Sequence, residues 1–171
     1  MLWYWVDRYT EFRRGESARA VKVVTNAERH VMDQYPESPR FPQSLVMEGL
    51  AQIAGELVSD SLDHQKMVIM AKIVRAEFFV DAVPGDRLEY CATILQLDDR
   101  GSRVLVTSTL KAASETDEGD RAQAEAELVF AHLDHGSPTG GAEEIRFSPD
   151  VLKEWMERAN AFRIENDAPP Q

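Results

Sequence analysis

One amphipathic segment, enclosed on both sides by strand-like sequence, constrains this chain more than any other feature. Over residues 44–60, Val46, Leu50, Ile53 and Leu57 recur at spacings of four, three and four, the apolar stripe of an α-helix, widened by Met47, Ala54 and Val58. Glu48, Gln52 and Ser59 fall on the other side with the small residues Ala51 and Gly55, and Glu48 and Gln52, four apart, are neighbours on the helix surface. Gln43 or Ser44 stands where a cap belongs. Pro36, Pro39 and Pro42 lie just ahead. Each removes a backbone donor and turns the preceding residue away from helix, so the helix is entered through a stiff, extended loop.

Everything else before residue 134 reads as strand and turn. Residues 18–24 are rich in β-branched side chains and follow a hairpin-like turn at 14–17. After the helix come an apolar run at 67–74, its continuation over 75–80 past a short polar interruption, and the turn Val83-Pro84-Gly85-Asp86. Strands follow at 87–97, 103–112 and 122–133, the last two separated by an acidic turn at 114–120. A single helix with a stripe to bury among long antiparallel strands predicts an α+β layer, an antiparallel sheet wrapped around one central helix at about 44–60.

Residues 135–147 read as a linker, and Ser148-Pro149-Asp150 as a helix start, with a capping serine, proline at the first position and an acid in the first turn. The helix predicted at about 149–163 has the apolar stripe Leu152, Trp155, Ala159 and Phe162, and the tail ENDAPPQ reads as disordered. The expected organisation is therefore a domain over 1–134, a linker over 135–147, and a C-terminal helix with its tail over 148–171. A formal net charge of −11 argues against binding nucleic acid or an anionic membrane surface. Cys91 has no second cysteine to pair with, and the opening MLWYWVDR is apolar for too short a stretch to read as a signal peptide or a membrane span. The expectation is a soluble, cytoplasmic protein.

From Gln34 to Gln52 the pattern resembles a known family. Gln34-Tyr35-Pro36-Glu37 and, with Glu48 fourteen residues after Gln34, Glu48-Gly49-Leu50-Ala51-Gln52 resemble the loop and helix motifs of the hot-dog-fold 3-hydroxyacyl-[acyl-carrier-protein] dehydratases (FabZ/FabA-like). Val6-Asp7-Arg8, Val24-Thr25, Val83-Pro84-Gly85-Asp86 and Ala124-Glu125-Ala126-Glu127-Leu128 resemble further family segments in the same order. The resemblance covers roughly residues 1–134. One departure is chemical: the family's catalytic histidine is replaced by Gln34. The loop glycine is Glu37, and a second Pro-Gly reads Pro42-Gln43.

The resemblance implies two proton movements on an acyl thioester, removal of a C2 proton and protonation of the leaving C3 hydroxyl, shared between histidine and the helix carboxylate across a dimer. Glu48 is then the surviving acid/base. Gln34 does not titrate, but its amide is able to hydrogen-bond a thioester carbonyl. Tyr35, Phe41, Gln43 and Gln52 are the expected substrate-binding residues, with core packing an equal reading for Phe41 and a structural contact to Glu48 or the loop backbone an equal reading for Gln52. A solvated acid is the plain alternative for Glu48. His30 would replace the missing histidine only with a different loop path. His64, His132 and His135 lack metal-site spacing and read as surface or capping groups, and Trp3, Tyr4 and Trp5 as core or dimer contacts. Neither metal nor cofactor is expected.

Three functions fit these readings: a 3-hydroxyacyl-thioester dehydratase of fatty-acid or related acyl metabolism, impaired at Gln34; a non-catalytic acyl-thioester-binding subunit, with or without an active paralogue; and a hot-dog thioesterase using Glu48. The expected partners are an acyl thioester on acyl carrier protein or coenzyme A and further copies of the chain, as a homodimer or trimer of dimers.

Overall fold

A computed structural model describes residues 4–28, 31, 36–112 and 119–134. Its strands are β1 (Arg8–Arg13), β2 (Ser17–Val23), β3 (Lys66–Phe78), β4 (Arg87–Leu97), β5 (Gly101–Lys111) and β6 (Arg121–Asp134), with one helix, α1 (Gln43–Ser61), among the described residues. The strands form one antiparallel sheet in the order β1-β2-β4-β5-β6-β3. After α1 the chain thus crosses to the far edge before returning to the middle. The predicted C-terminal helix and linker, and most of the acidic turn at 114–120, lie outside the described residues.

The sheet curls around α1 because its strands alternate. On β6, Ala124, Ala126, Leu128 and Phe130 are buried while Glu125, Glu127 and Val129 between them are not, and β5 repeats this with Val104, Val106 and Leu110. The predicted stripe Val46, Leu50, Ile53 and Leu57 is wholly buried on the inner face with Tyr9, Leu88 and Tyr90. Gly49 permits the closest approach: a Cβ there would lie 2.7 Å from the Tyr90 ring and 3.0 Å from the Trp5 carbonyl oxygen.

Three sequence expectations are corrected. Neither Gln43 nor Ser44 caps α1: Pro42 occupies the N-cap, no side chain caps it, and the amides of Leu45 and Val46 donate to the Pro42 carbonyl. In keeping with the continued pattern over 75–80, β3 runs through the polar interruption near Arg75, shifting register between Met70 and Lys72 and between Ile73 and Arg75. Ser59 is buried, because α1 is enclosed on all sides over its last turns and residues 56–60 are consecutively buried. His132 is also buried, its Nδ1 2.9 Å from the Asp98 carbonyl oxygen and its Nε2 3.1 Å from Ser102 Oγ, so it braces the β4–β5 turn; desolvation lowers its pKa.

Candidate active site

The prolines deliver the chain to α1 along an anchored path. The Phe41 amide donates to the Ala82 carbonyl at 2.8 Å, and the Arg40 guanidinium reaches Asp81 Oδ2 at 2.8 Å. Gln43 Nε2 donates to the other Asp81 oxygen at 3.3 Å. Phe41 sits in the core, edge-on to Trp5 with ring centroids 5.7 Å apart. Upstream, the ammonium of buried Lys22 pairs with Glu28, lies 3.6 Å from Asp7 Oδ1 and donates to the Val23 carbonyl at 2.8 Å. The amide of buried Val31 donates to the Glu28 carbonyl. Both shoulders of the loop are therefore tied to the sheet. Spacing of motifs gave no signal for the Lys22–Glu28 and Arg40–Asp81 pairs, because each joins residues from separate elements.

Glu48 lies in the second turn of α1 and is exposed. Gln52, one turn on, donates through Nε2 to Glu48 Oε1 at 3.1 Å, while its own Oε1 accepts the Trp5 amide at 2.9 Å. The backbone donor settles which way the Gln52 amide faces, and that in turn aims the amide N–H at Glu48. Gln34, Tyr35 and His30 lie outside the described residues. Of the predicted site residues, the structure brings Glu48 and Gln52 together, places Gln43 on Asp81 and seats Phe41 among core aromatics. The uncapped first turn of α1 adds the positive end of a helix dipole beside them.

A second polar cluster, which sequence reasoning missed, occupies the opposite end of α1. Glu56 is 3% exposed. Burial, then the nearby Asp60 charge, push its carboxyl up to about 8. Asp60 is raised by burial against the opposing pull of Arg14 and His64, and the buried Tyr9 phenol is raised by desolvation and both acids. The β1–β2 turn closes over this end: Arg14 Nε is 3.8 Å from Asp60 Oδ2, and the Gly15 amide donates to Ser61 Oγ at 3.0 Å. Among the described residues, no group of His, Cys, Asp and Glu is arranged to hold a metal ion, and no helix is long and apolar enough to cross a membrane.

Comparison with known proteins places this geometry in context. A thioesterase family protein from Silicibacter pomeroyi superposes with a TM-score of 0.60 at 14% identity, over 74% of this chain and 84% of that one, a likeness of fold. The 3-hydroxyacyl-[acyl-carrier-protein] dehydratase FabZ of Campylobacter fetus is 34% identical over 98 residues, which span 53% of this chain and 66% of that protein. The FabZ of Campylobacter hominis is 35% identical over 133 residues, covering 75% of this chain and 86% of its own length. The model of the FabA-like domain matches residues 3–118. A hot-dog sheet around one helix, together with these matches, establishes that the chain belongs to the FabA-like domain family.

Proposed function

We propose that the protein binds a 3-hydroxyacyl thioester, carried on acyl carrier protein or coenzyme A in the cytoplasm, and acts on it as a dehydratase of reduced power. The observation that carries this reading is the ordered Trp5–Gln52–Glu48 chain of hydrogen bonds beside the open N-terminus of α1. In the reaction, C2 gives up a proton, the C3–O bond breaks, the hydroxyl leaves as water, and the C2=C3 double bond forms. Glu48 is the titratable group that takes the C2 proton, and the same carboxyl, now protonated, returns it to the leaving C3 hydroxyl, so that water departs with no second acid. Gln34 stands where the family has histidine and contributes a hydrogen bond to the thioester carbonyl instead of the second transfer. The amides at the start of α1 favour the charge that develops on that carbonyl oxygen. Tyr35 and Gln43 complete the walls, with Phe41 packed in the core behind them.

The site is completed by a second copy of the chain. β3 is an edge strand of thirteen residues, with one edge unpaired among the described residues and Ile69, Met70, Ile73 and Val74 all exposed. A long apolar edge of this kind is a template for pairing with another strand. Met70 and Ile73 are in register with inward-facing Phe130 and Leu128, so they face the α1 side of the sheet where a partner's helix would cover them. A homodimer paired through β3 brings each Glu48 beside the other copy's loop.

The test is turnover of a 3-hydroxyacyl thioester, with enoyl product followed by absorbance and free thiol by a thiol reagent. Slow enoyl formation is expected, lost in Glu48→Gln and raised about 10²- to 10⁴-fold in Gln34→His, the range one general acid–base group supplies. No gain in Gln34→His would sink the dehydratase reading. Free thiol released only while Glu48 is present would make the protein a thioesterase, and retained binding with neither product would make it a non-catalytic binding subunit.

A further inference from the structure

The outer face of the sheet, turned away from α1, changes character along β6. Its outward residues begin as Glu125 and Glu127, which are ion-paired to Arg75 of β3 at 2.5 Å and to Arg103 of β5 at 2.5 Å. Beyond them the outward positions become Val129, Ala131 and Leu133, half-buried as the two glutamates are but apolar, and none belonging to the core around α1. In register beside them on β3 stand Ile69, opposite Ala131, and Met67, opposite Leu133, while Lys72, opposite Val129, marks the polar border of the patch. An antiparallel sheet with one solvated face alternates apolar and polar along each strand. Here the last three outward positions of β6 break that rule, and β3 matches the break at the last two of them.

The chain leaves the sheet at this corner, since Asp134 follows Leu133 directly. Residues 135–171 follow, including the helix predicted from Ser148-Pro149-Asp150. Its stripe Leu152, Trp155, Ala159 and Phe162 occupies one side, while Glu154 and Glu157 point the other way at 100° per residue. From Leu152 to Phe162 the stripe runs about 15 Å. From Val129 to Leu133 the outward row runs about 14 Å. The linker at 135–147 spans far more than either length when extended. A tether this short holds its segment at an effective concentration in the millimolar range, well above that of a second chain in solution.

From these matched surfaces we infer that the 149–163 helix docks against the outer face of β6 and β3, over Val129, Ala131, Leu133, Met67 and Ile69. The domain then has three layers, with α1 on one side of the sheet and the C-terminal helix on the other. The helix-side residues Met70 and Ile73 remain free for pairing between copies. This docking is independent of any catalytic reading.

The test is the indole N–H resonance of Trp155 in the full-length protein, assigned by its disappearance in Trp155→Phe. Docking predicts a position away from that of free indole, unchanged on tenfold dilution, and moved toward it by Leu133→Asp. Val129→Ser serves as a milder second variant should Leu133→Asp fail to give a folded spectrum, and docking predicts a smaller movement in the same direction. A resonance at the free-indole position, or one insensitive to both substitutions, overturns the inference. So does a position that moves on dilution, because the face would then be covered by another copy.

Discussion

Glu48 and Glu56 lie two turns apart on one helix and meet opposite fates. Glu48 is exposed and tethered by Gln52, whereas Glu56 is enclosed beside Asp60 and Tyr9. The Glu56 carboxyl is raised from 4.5 to about 8 when folded. In the unfolded chain it ionises first as pH rises, so its contribution to stability is complete below about pH 4.5 and disappears as pH climbs through about 8. Urea unfolding across that window should show wild type losing on the order of 5 kcal/mol. Glu56→Gln should lose most of that slope, keeping a residual of the same sign at the acidic end from Asp60, which is raised likewise, and one of opposite sign from His132, which is lowered. An equal slope in both proteins would place the titration elsewhere. At Gly49 two effects oppose each other. Alanine gains about 1 kcal/mol in helix propensity, but its Cβ would meet a buried ring at 2.7 Å and a backbone oxygen at 3.0 Å, and overpacking of that kind costs about 1–3 kcal/mol. Neither neighbour is a flexible chain end, so Gly49→Ala should be the less stable by about 1–2 kcal/mol, read as a lower urea midpoint at unchanged slope.

At the level of elements, α1 was legible because periodicity and proline punctuation agree, and its bounds differ from the predicted 44–60 by one residue at each end. Its final turns were not legible. A stripe argument assumes one wet side, and residues 56–60 have none, so Glu56, Ser59 and Asp60 carry a solvent signature in sequence while being enclosed in the fold. β3 was legible as a run continued past Arg75, but its two register shifts were not, because a bulge has no residue signature of its own. Of the candidate site, motif spacing singled out Glu48 and Gln52 but not the supports: Arg40–Asp81 joins residues 41 apart along the chain, and Lys22–Glu28, six apart, joins a strand to the loop after it with no helical or strand spacing to mark it. β3 also carries a direct test of assembly. Ile73, 42% exposed in the single chain, would meet a partner's apolar surface on pairing. Ile73→Lys should shift sedimentation from dimer toward monomer while leaving the far-ultraviolet circular dichroism unchanged; a dimer that survives the substitution would exclude this edge.

For the whole molecule, the sheet order matters as much as the site. Placing β3 at the outer edge, bonded to β6, means that strand receives its neighbour from a segment about forty residues further along the chain. Contacts of such long separation slow folding, because loop closure precedes any reward. They also bear on synthesis: at a ribosomal rate of about 5–20 residues per second, β3 emerges with Ile69, Met70, Ile73 and Val74 in hand and waits several seconds before its hydrogen-bonding neighbour exists. During that interval the nascent chain carries a sticky ribbon with both edges bare, and its yield in the cell depends on what shields that ribbon until β6 arrives.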